Sequence, residues 1–203
     1  LRQDVGAAGS GPASVTGQHG EQARLIGWVS QAWDEIQLEH DDWKFAWRSG
    51  EIALEAGFRD YSPPSDFQRF VDDTVTLGDS EIDNVDYSEF RRLYPEVSNQ
   101  VPRAVTITPA KVLRLDTPAL AIGTLAFEYY RTPQVLTDNE QEPRMPERFH
   151  MLVVYRAMVQ YGLYENAGEV VQQGTANSDR LTHQLQRDQL PEMRLPRGGG
   201  WLV

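Results

Sequence analysis

The chain has 203 residues and a mass of 23.0 kDa, with 40% hydrophobic and 24% charged residues, which suits a globular domain with its own core. No run of about 18 apolar residues occurs and no basic, then apolar, leader opens the chain, so we expect a soluble protein without a membrane partner. Cysteine is absent, which excludes disulfides, thiolate nucleophiles and cysteine-based zinc sites. The four histidines are too scattered for a paired ligand motif. We therefore expect no metal, no cofactor and no catalytic residue.

The net charge of −11 is concentrated in one segment. Residues 32–100 hold seventeen acidic and six basic side chains, so this segment carries −11 and the rest of the chain is neutral. Proteins that grip DNA by neutralising its phosphates need a basic surface. The acidic segment makes the chain a poor candidate for that mode of binding, whereas the last stretch, residues 180–203, is net basic.

Helical periodicity is clearest near the N-terminus, where residues 22–39 place apolar side chains on one face. Pro146 suits the first turn of a second helix, which is apolar on nearly all sides through Tyr161 and is therefore expected at the centre of the core. A sparser helical pattern resumes after Gly162, where we expect a kink, and stops at Pro191. Residues 86–94 predict a short helix ended by Pro95.

Strand-like alternation occurs at residues 51–55 and again at 105–107, 112–115 and 124–131, and the last three predict an antiparallel meander. The fold class predicted is α+β and mostly helical: a helix bundle with long C-terminal helices, a small antiparallel β-sheet and extended N- and C-terminal arms. Residues 1–20 are rich in glycine and lack a helical or strand period. We divide the chain into an N-terminal arm (1–20), a core (21–190) and an extended C-terminal tail (191–203).

Acidic side chains between residues 72 and 96 leave an enzymatic alternative open: a metal-dependent hydrolase or nuclease that uses these carboxylates. Five of them could offer oxygen ligands to a hard cation, namely Asp79, Glu81, Asp83, Asp86 and Glu89. The cluster lacks the glycine that calcium loops carry at the sixth position, and Val85 interrupts it. We favour a solvated loop.

The C-terminal tail ends in Trp201-Leu202-Val203 after three glycines, whereas disordered termini usually end in small polar residues. Burial of this end in a pocket would contribute about 5 kcal/mol of transfer free energy, and the arginines would orient it on an acidic or carbonyl-lined groove. The tail therefore predicts a docking peptide. Its docking residues are Arg194, Leu195, Arg197, Trp201, Leu202 and Val203.

Aromatic residues exceed what one small core needs. Trp28, Trp43 and Trp47 are therefore predicted to lie at an interface between subunits. The aromatic strands leave a further alternative open, a monomeric peptide-binding module.

Several motifs resemble the head-to-tail connector, or adaptor, proteins of tailed bacteriophages. They are GSGP at 9–12, GQ at 17–18, ARLIGWV at 23–29, AW at 32–33, FEYYRTPQ at 127–134, PERFHML at 146–152, YRA at 155–157 and YG at 161–162. The resemblance covers most of the chain and is weakest over residues 55–100.

The resemblance implies a non-enzymatic structural protein of the virion, located in the phage neck and in the host cytoplasm before assembly. Such an adaptor binds the portal protein after DNA packaging, forms a ring of about twelve copies and contacts tail or nozzle proteins. The tail at 191–203 would then bind the portal. DNA would pass through the channel without specific binding, and we expect part of residues 32–100 to line or flank that channel, because like charges repel.

Overall fold

The computed structural model describes residues 12, 14–94 and 100–191. In these residues the helices are α1 (Gly20–Leu38), α2 (Tyr87–Leu93), α3 (Met151–Tyr164) and α4 (Gly168–Gln189). The strands are β1 (Trp47–Leu54), β2 (Asp60–Tyr61), β3 (Phe67–Phe70), β4 (Thr76–Leu77), β5 (Ser80–Glu81), β6 (Asp83–Asn84), β7 (Ala104–Ile107), β8 (Leu113–Leu115) and β9 (Gly123–Arg131). None of the described helices is both long and apolar enough to cross a membrane.

The chain divides into two compact units. The helical unit comprises residues 1–45 and 133–203, and the β unit comprises residues 46–132. The predicted boundaries at 20/21 and 190/191 stay predictions, because most of the arm and nearly all of the tail lie outside the described residues.

In the helical unit α3 packs against both α1 and α4, as expected for the most apolar helix. Leu152, Ala157 and Met158 of α3 are fully buried. The helix predicted at 22–39 is confirmed as α1, and the helical patterns after Pro146 and Gly162 are confirmed as α3 and α4. The short helix at 86–94 is confirmed as α2 in the β unit.

The chain reverses direction between α3 and α4, at Asn166, whose φ is +55°. Gly162, predicted as a kink, lies inside α3 and serves close packing instead. A Cβ built on Gly162 would lie 2.8 Å from Val171 Cγ2, and one on Gly174 would lie 3.0 Å from the carbonyl oxygen of Tyr155. The two helices can therefore approach closely only because both positions lack a side chain.

Aromatic rings fill the core of the helical unit beside the C-terminal half of α1. Trp33 and Ile36 are fully buried, and the indole of Trp43 stacks on Phe45 with ring centroids 5.3 Å apart. Trp43 Nε1 donates a hydrogen bond of 3.0 Å to the carbonyl oxygen of Ile36, which satisfies its polar atom inside the core.

Two sheets form the β unit. In the larger one β9 is central: it pairs antiparallel with the whole of β1 on one side and with β3 and β4 on the other, and β5 pairs with β4. The smaller sheet has the order β2-β8-β7-β6, and β6 and β7 run parallel. Both sheets contribute to one core, whose buried members include Leu54, Phe70, Val105, Leu113, Leu115, Leu125, Phe127 and Tyr129.

The expectation of a mostly helical fold with a small sheet is wrong. The described residues form nine strands in two sheets as well as the four helices, so the fold is α+β with substantial sheet. The antiparallel meander is also wrong, because β9 joins β1 in the larger sheet while β7 and β8 pair in the smaller one. Four of the strands have only two residues, too short for any alternation to be read from sequence.

Candidate interaction surfaces

An aromatic patch lies where the N-terminal half of α1 meets the C-terminal end of α3. The Trp28 ring contacts Tyr161 and Tyr164, with centroids 6.0 and 5.6 Å away. The Arg24 guanidinium lies 4.6 Å from the centre of the Tyr164 ring and also donates a hydrogen bond to its hydroxyl. Tyr164 is 51% exposed and Trp28 is half-buried. Such arginine and aromatic groups are enriched in protein interfaces, so this aromatic patch suits contact with another protein.

The other two tryptophans predicted at a subunit interface lie in different environments. Trp43 is 1% exposed and packs in the core described above, so its side chain offers no surface to a neighbour in this fold. Trp47 is 37% exposed at the start of β1, and its Nε1 donates a hydrogen bond of 2.9 Å to Glu128 Oε2 on β9. Only Trp28 and Trp47 therefore remain accessible for the predicted interface.

One arginine fixes the geometry of the helical unit at the opposite end of α1. Arg156 on α3 forms an ion pair of 2.6 Å with Glu39, which follows α1, and donates a hydrogen bond of 3.1 Å to Thr182 on α4. Its side chain is mostly buried, where such charge-assisted contacts are strong. These contacts join α3 to α4 and to the end of α1, and thereby hold the two helices that carry the aromatic patch, α1 and α3, against each other.

The β unit carries an exposed apolar groove of about 290 Å³. Buried Leu54 and Ala119 line it together with the exposed side chains of Val101, Leu120 and Ile122, the last of which is 86% exposed. Contiguous exposed apolar surface usually marks a binding site for another molecule. Sequence reasoning missed this groove, although the apolar residues 119–122 between two predicted strands, where loops are normally polar, were a usable signal.

The carboxylates between residues 72 and 94 do not converge. Asp79, Glu81 and Asp83 are exposed, and Asp86 accepts a hydrogen bond of 2.8 Å from the backbone N–H of Ser88, at the start of α2. Hydrogen bonds from the Ser88 side chain and backbone lower the pKa of Asp86, as expected for a helix cap. Nowhere in the described ranges do three or more acidic or histidine side chains meet in a group that could hold a metal ion. The described carboxylates thus give the hydrolase or nuclease alternative no support.

Two further acidic side chains of the β unit accept hydrogen bonds that stabilise the fold. Asp60 on β2 accepts hydrogen bonds of 2.6 and 2.7 Å from Arg114 on β8, and this pairing lowers the pKa of Asp60. Asp66 accepts a hydrogen bond of 2.9 Å from the Tyr129 hydroxyl. Burial, followed by this hydrogen bond, raises the pKa of Tyr129.

The six predicted docking residues of the tail lie outside the described residues, which end at Pro191. The described chain therefore ends just after α4, and the tail chemistry stays a prediction. The surfaces that the structure does describe are the aromatic patch of the helical unit and the groove of the β unit.

Both surfaces have the chemistry of sites that contact other proteins. The family model of the SU10 adaptor protein matches residues 3–197, and the chain belongs to that family. The resemblance to phage head-to-tail adaptors is thereby confirmed, and the protein is a structural adaptor of the phage virion that interacts with other head or tail proteins. No curated protein matches the chain.

Proposed function

We propose that this protein is a non-enzymatic head-to-tail adaptor that binds the portal after DNA packaging. It enters the particle from the host cytoplasm, forms a ring of about twelve copies around the DNA channel and presents a face for tail or nozzle proteins. The observation that carries this proposal is the match of the SU10 adaptor family over residues 3–197.

The exposed aromatic groups support contacts between subunits. A ring is built from one heterologous contact repeated around an axis, and the aromatic patch and Trp47 offer chemistry suited to it. The apolar groove at Val101, Leu120 and Ile122 is the candidate attachment face for a tail or nozzle protein.

The tail is the proposed portal ligand. Arg194 and Arg197 would pair with acidic groups or carbonyls, while Leu195, Trp201, Leu202 and Val203 would enter apolar pockets. Each tail contributes little alone, but simultaneous engagement by every copy in the ring multiplies the affinity.

Deletion of residues 191–203 tests portal docking. We expect a chain with unchanged far-ultraviolet circular dichroism that no longer co-sediments with portal rings, whereas Gln189→Ala at the end of α4 keeps full binding. Unchanged co-sedimentation of the deletion variant would contradict the assignment of the tail.

The acidic segment is proposed to flank the DNA channel. Asp72, Asp73 and Asp79 are exposed and would repel the phosphates of passing DNA. Asn substitutions at these three positions should slow DNA ejection, and Asp179→Asn on the exposed face of α4 is the control. If ejection and retention of packaged DNA stay unaltered, the channel assignment is wrong.

A further inference from the structure

A polar cavity of about 290 Å³ lies in the β unit, between edge strands of its two sheets. β3 lines it from the larger sheet, and β6 and β7 line it from the smaller sheet, together with the start of α2. The cavity shares no residue with the apolar groove. Ligand pockets usually measure about 300–1,000 Å³, so this one suits a single side chain of another protein.

The hydroxyl of Thr106 at this cavity lacks a partner. Thr106 on β7 is 1% exposed and lines the cavity, yet its Oγ1 makes no hydrogen bond within the described residues. The two other buried threonines that the structure describes, Thr108 and Thr117, each have a hydrogen bond, of 3.1 and 2.9 Å. A buried hydroxyl without a partner is destabilising, and an apolar group of the same shape would avoid that cost. The hydroxyl of Thr106 is therefore suited to a group that enters the cavity.

The backbone of β6 directs a second acceptor to the same cavity. The N–H groups of Asp83 and Val85, which flank Asn84, donate hydrogen bonds of 2.9 and 3.0 Å to the segment that contains β7. The N–H and C=O groups of Asn84 therefore point away from β7. Asn84 lines the cavity, so its carbonyl oxygen can accept a hydrogen bond from a ligand there.

The mouth of the cavity is acidic. Asp72 and Asp86 line it and are exposed, and hydrogen bonds from Ser88 lower the pKa of Asp86. Arg69 is the one basic residue among the described residues that line the cavity, and its guanidinium lies 4.2 Å from the centre of the Tyr130 ring. Two carboxylates beside one arginine that already contacts an aromatic ring favour a cationic ligand over an anionic one.

We propose that this polar cavity binds an arginine side chain of another head or tail protein. A guanidinium group has five N–H donors and no acceptor, which matches a site whose hydroxyl, carbonyl and carboxylate oxygens all accept hydrogen bonds. Its planar fork can meet one carboxylate with two N–H groups and still direct others to the Thr106 hydroxyl, whereas the compact ammonium of lysine cannot. Arginine is also enriched in protein interfaces. The inference is independent of the ring and of the portal contact proposed above.

A titration with a blocked arginine tests the ligand. N-acetyl-arginine methylamide, added to the full chain at constant ionic strength, should shift the amide signals of Asn84, Tyr87 and Thr106 together in nuclear magnetic resonance spectra. The matching citrulline derivative has nearly the same shape without the charge and should bind at least about tenfold more weakly. Equal affinity for the two derivatives, or shifts confined to residues away from the cavity, would overturn the inference.

Two variants test the acceptors. Thr106→Val keeps the shape of the side chain and removes the unpaired hydroxyl, so its Tm should be no lower than that of the wild type, while its affinity for the arginine derivative should fall about tenfold. Asp86→Asn keeps a good cap for α2 and should weaken binding by a similar factor. Asp79→Asn, at an exposed position outside the cavity, is the control and should bind like the wild type.

Two results with these variants would each overturn the inference. A lower Tm for Thr106→Val would show that the hydroxyl has a partner inside the protein. Unchanged affinity in both variants would show that neither acceptor contacts the ligand.

Assembled particles test whether the arginine belongs to a protein. With Thr106→Val and Asp86→Asn combined, the adaptor should co-purify with at least about tenfold less of one other head or tail protein, whereas the Asp79→Asn adaptor should retain all its partners. A full set of partners for the combined variant would overturn the inference and leave the proposed function intact. Failure of the proposed function would be seen separately, as a wild-type chain that does not bind portal rings.

Discussion

The helical unit and the β unit are stabilised in different ways. In the helical unit α3 approaches α4 at two glycines, and Arg156 joins three helices through one guanidinium. In the β unit a single strand, β9, gathers β1, β3 and β4, and side chains from two sheets fill one core. The stability of the helical unit therefore depends on the close approach of the α3 and α4 backbones, and that of the β unit depends on tight side-chain packing around β9. The apolar groove of the β unit stays exposed at Val101, Leu120 and Ile122.

The largest expected effect tests whether the β unit depends on filled volume around β9. Leu125 on β9 is fully buried, so Leu125→Ala should lower the free energy of unfolding by about 2–5 kcal/mol, through lost burial and the cavity left behind. Urea denaturation of both chains measures the difference.

Leu120→Ala is the matched control, because this leucine lies on the exposed rim of the apolar groove. We expect its unfolding free energy to stay within about 0.5 kcal/mol of the wild type. A loss at Leu120 as large as that at Leu125 would show that the groove belongs to the core and is not a docking surface.

A smaller effect tests close backbone approach in the helical unit. A Cβ at Gly174 would meet the Tyr155 carbonyl oxygen and Val159 Cγ2, each at 3.0 Å, so Gly174→Ala should destabilise the chain by about 1–3 kcal/mol, as overpacking does. Thermal denaturation measures the change in Tm.

Gly27→Ala supplies the control on α1, where a Cβ meets no atom within 4 Å. Alanine there should stabilise the helix by about 0.5–1 kcal/mol. Stabilisation at both positions would mean that the two helices are not in the tight contact that the glycines permit.

The three long helices could be predicted from sequence because each repeats its apolar period several times, whereas α2 was predicted from the proline that follows it. Residues 22–39 predicted α1, which spans Gly20–Leu38. In the β unit β9 was predicted as a strand, but its partners were not, since β1 lies about 70 residues earlier in the chain and such pairing leaves no local signal. The composition likewise gives the number of tryptophans but not their positions in the fold. Trp43 donates a hydrogen bond to the carbonyl oxygen of Ile36 inside the core, whereas Trp28 and Trp47 are accessible at the surface.

The smallest effect separates surface charge from core packing within the β unit. Asp60 and Arg114 join β2 to β8 through two hydrogen bonds, and both side chains are partly exposed, so solvent screening limits their contribution to about 1 kcal/mol or less. The hydrogen bond from Arg114 lowers the pKa of Asp60 below its ordinary value of 3.8. A lowered pKa in the folded state means that this stabilisation is complete above the unfolded-state pKa and is lost as the pH falls through the folded-state pKa.

Asp60→Asn should therefore be less stable than the wild type at pH 7 by that small amount, and the difference should shrink as the pH falls below about 4. Urea denaturation at pH 7, 5 and 3 measures this difference, and Asp79→Asn, on the exposed turn between β4 and β5, controls for the loss of one negative charge. A difference at Asp60 that persists undiminished at pH 3 would mean that the carboxylate contributes through packing. Side-chain packing would then contribute to the stability of the β unit at its surface as well as in its core.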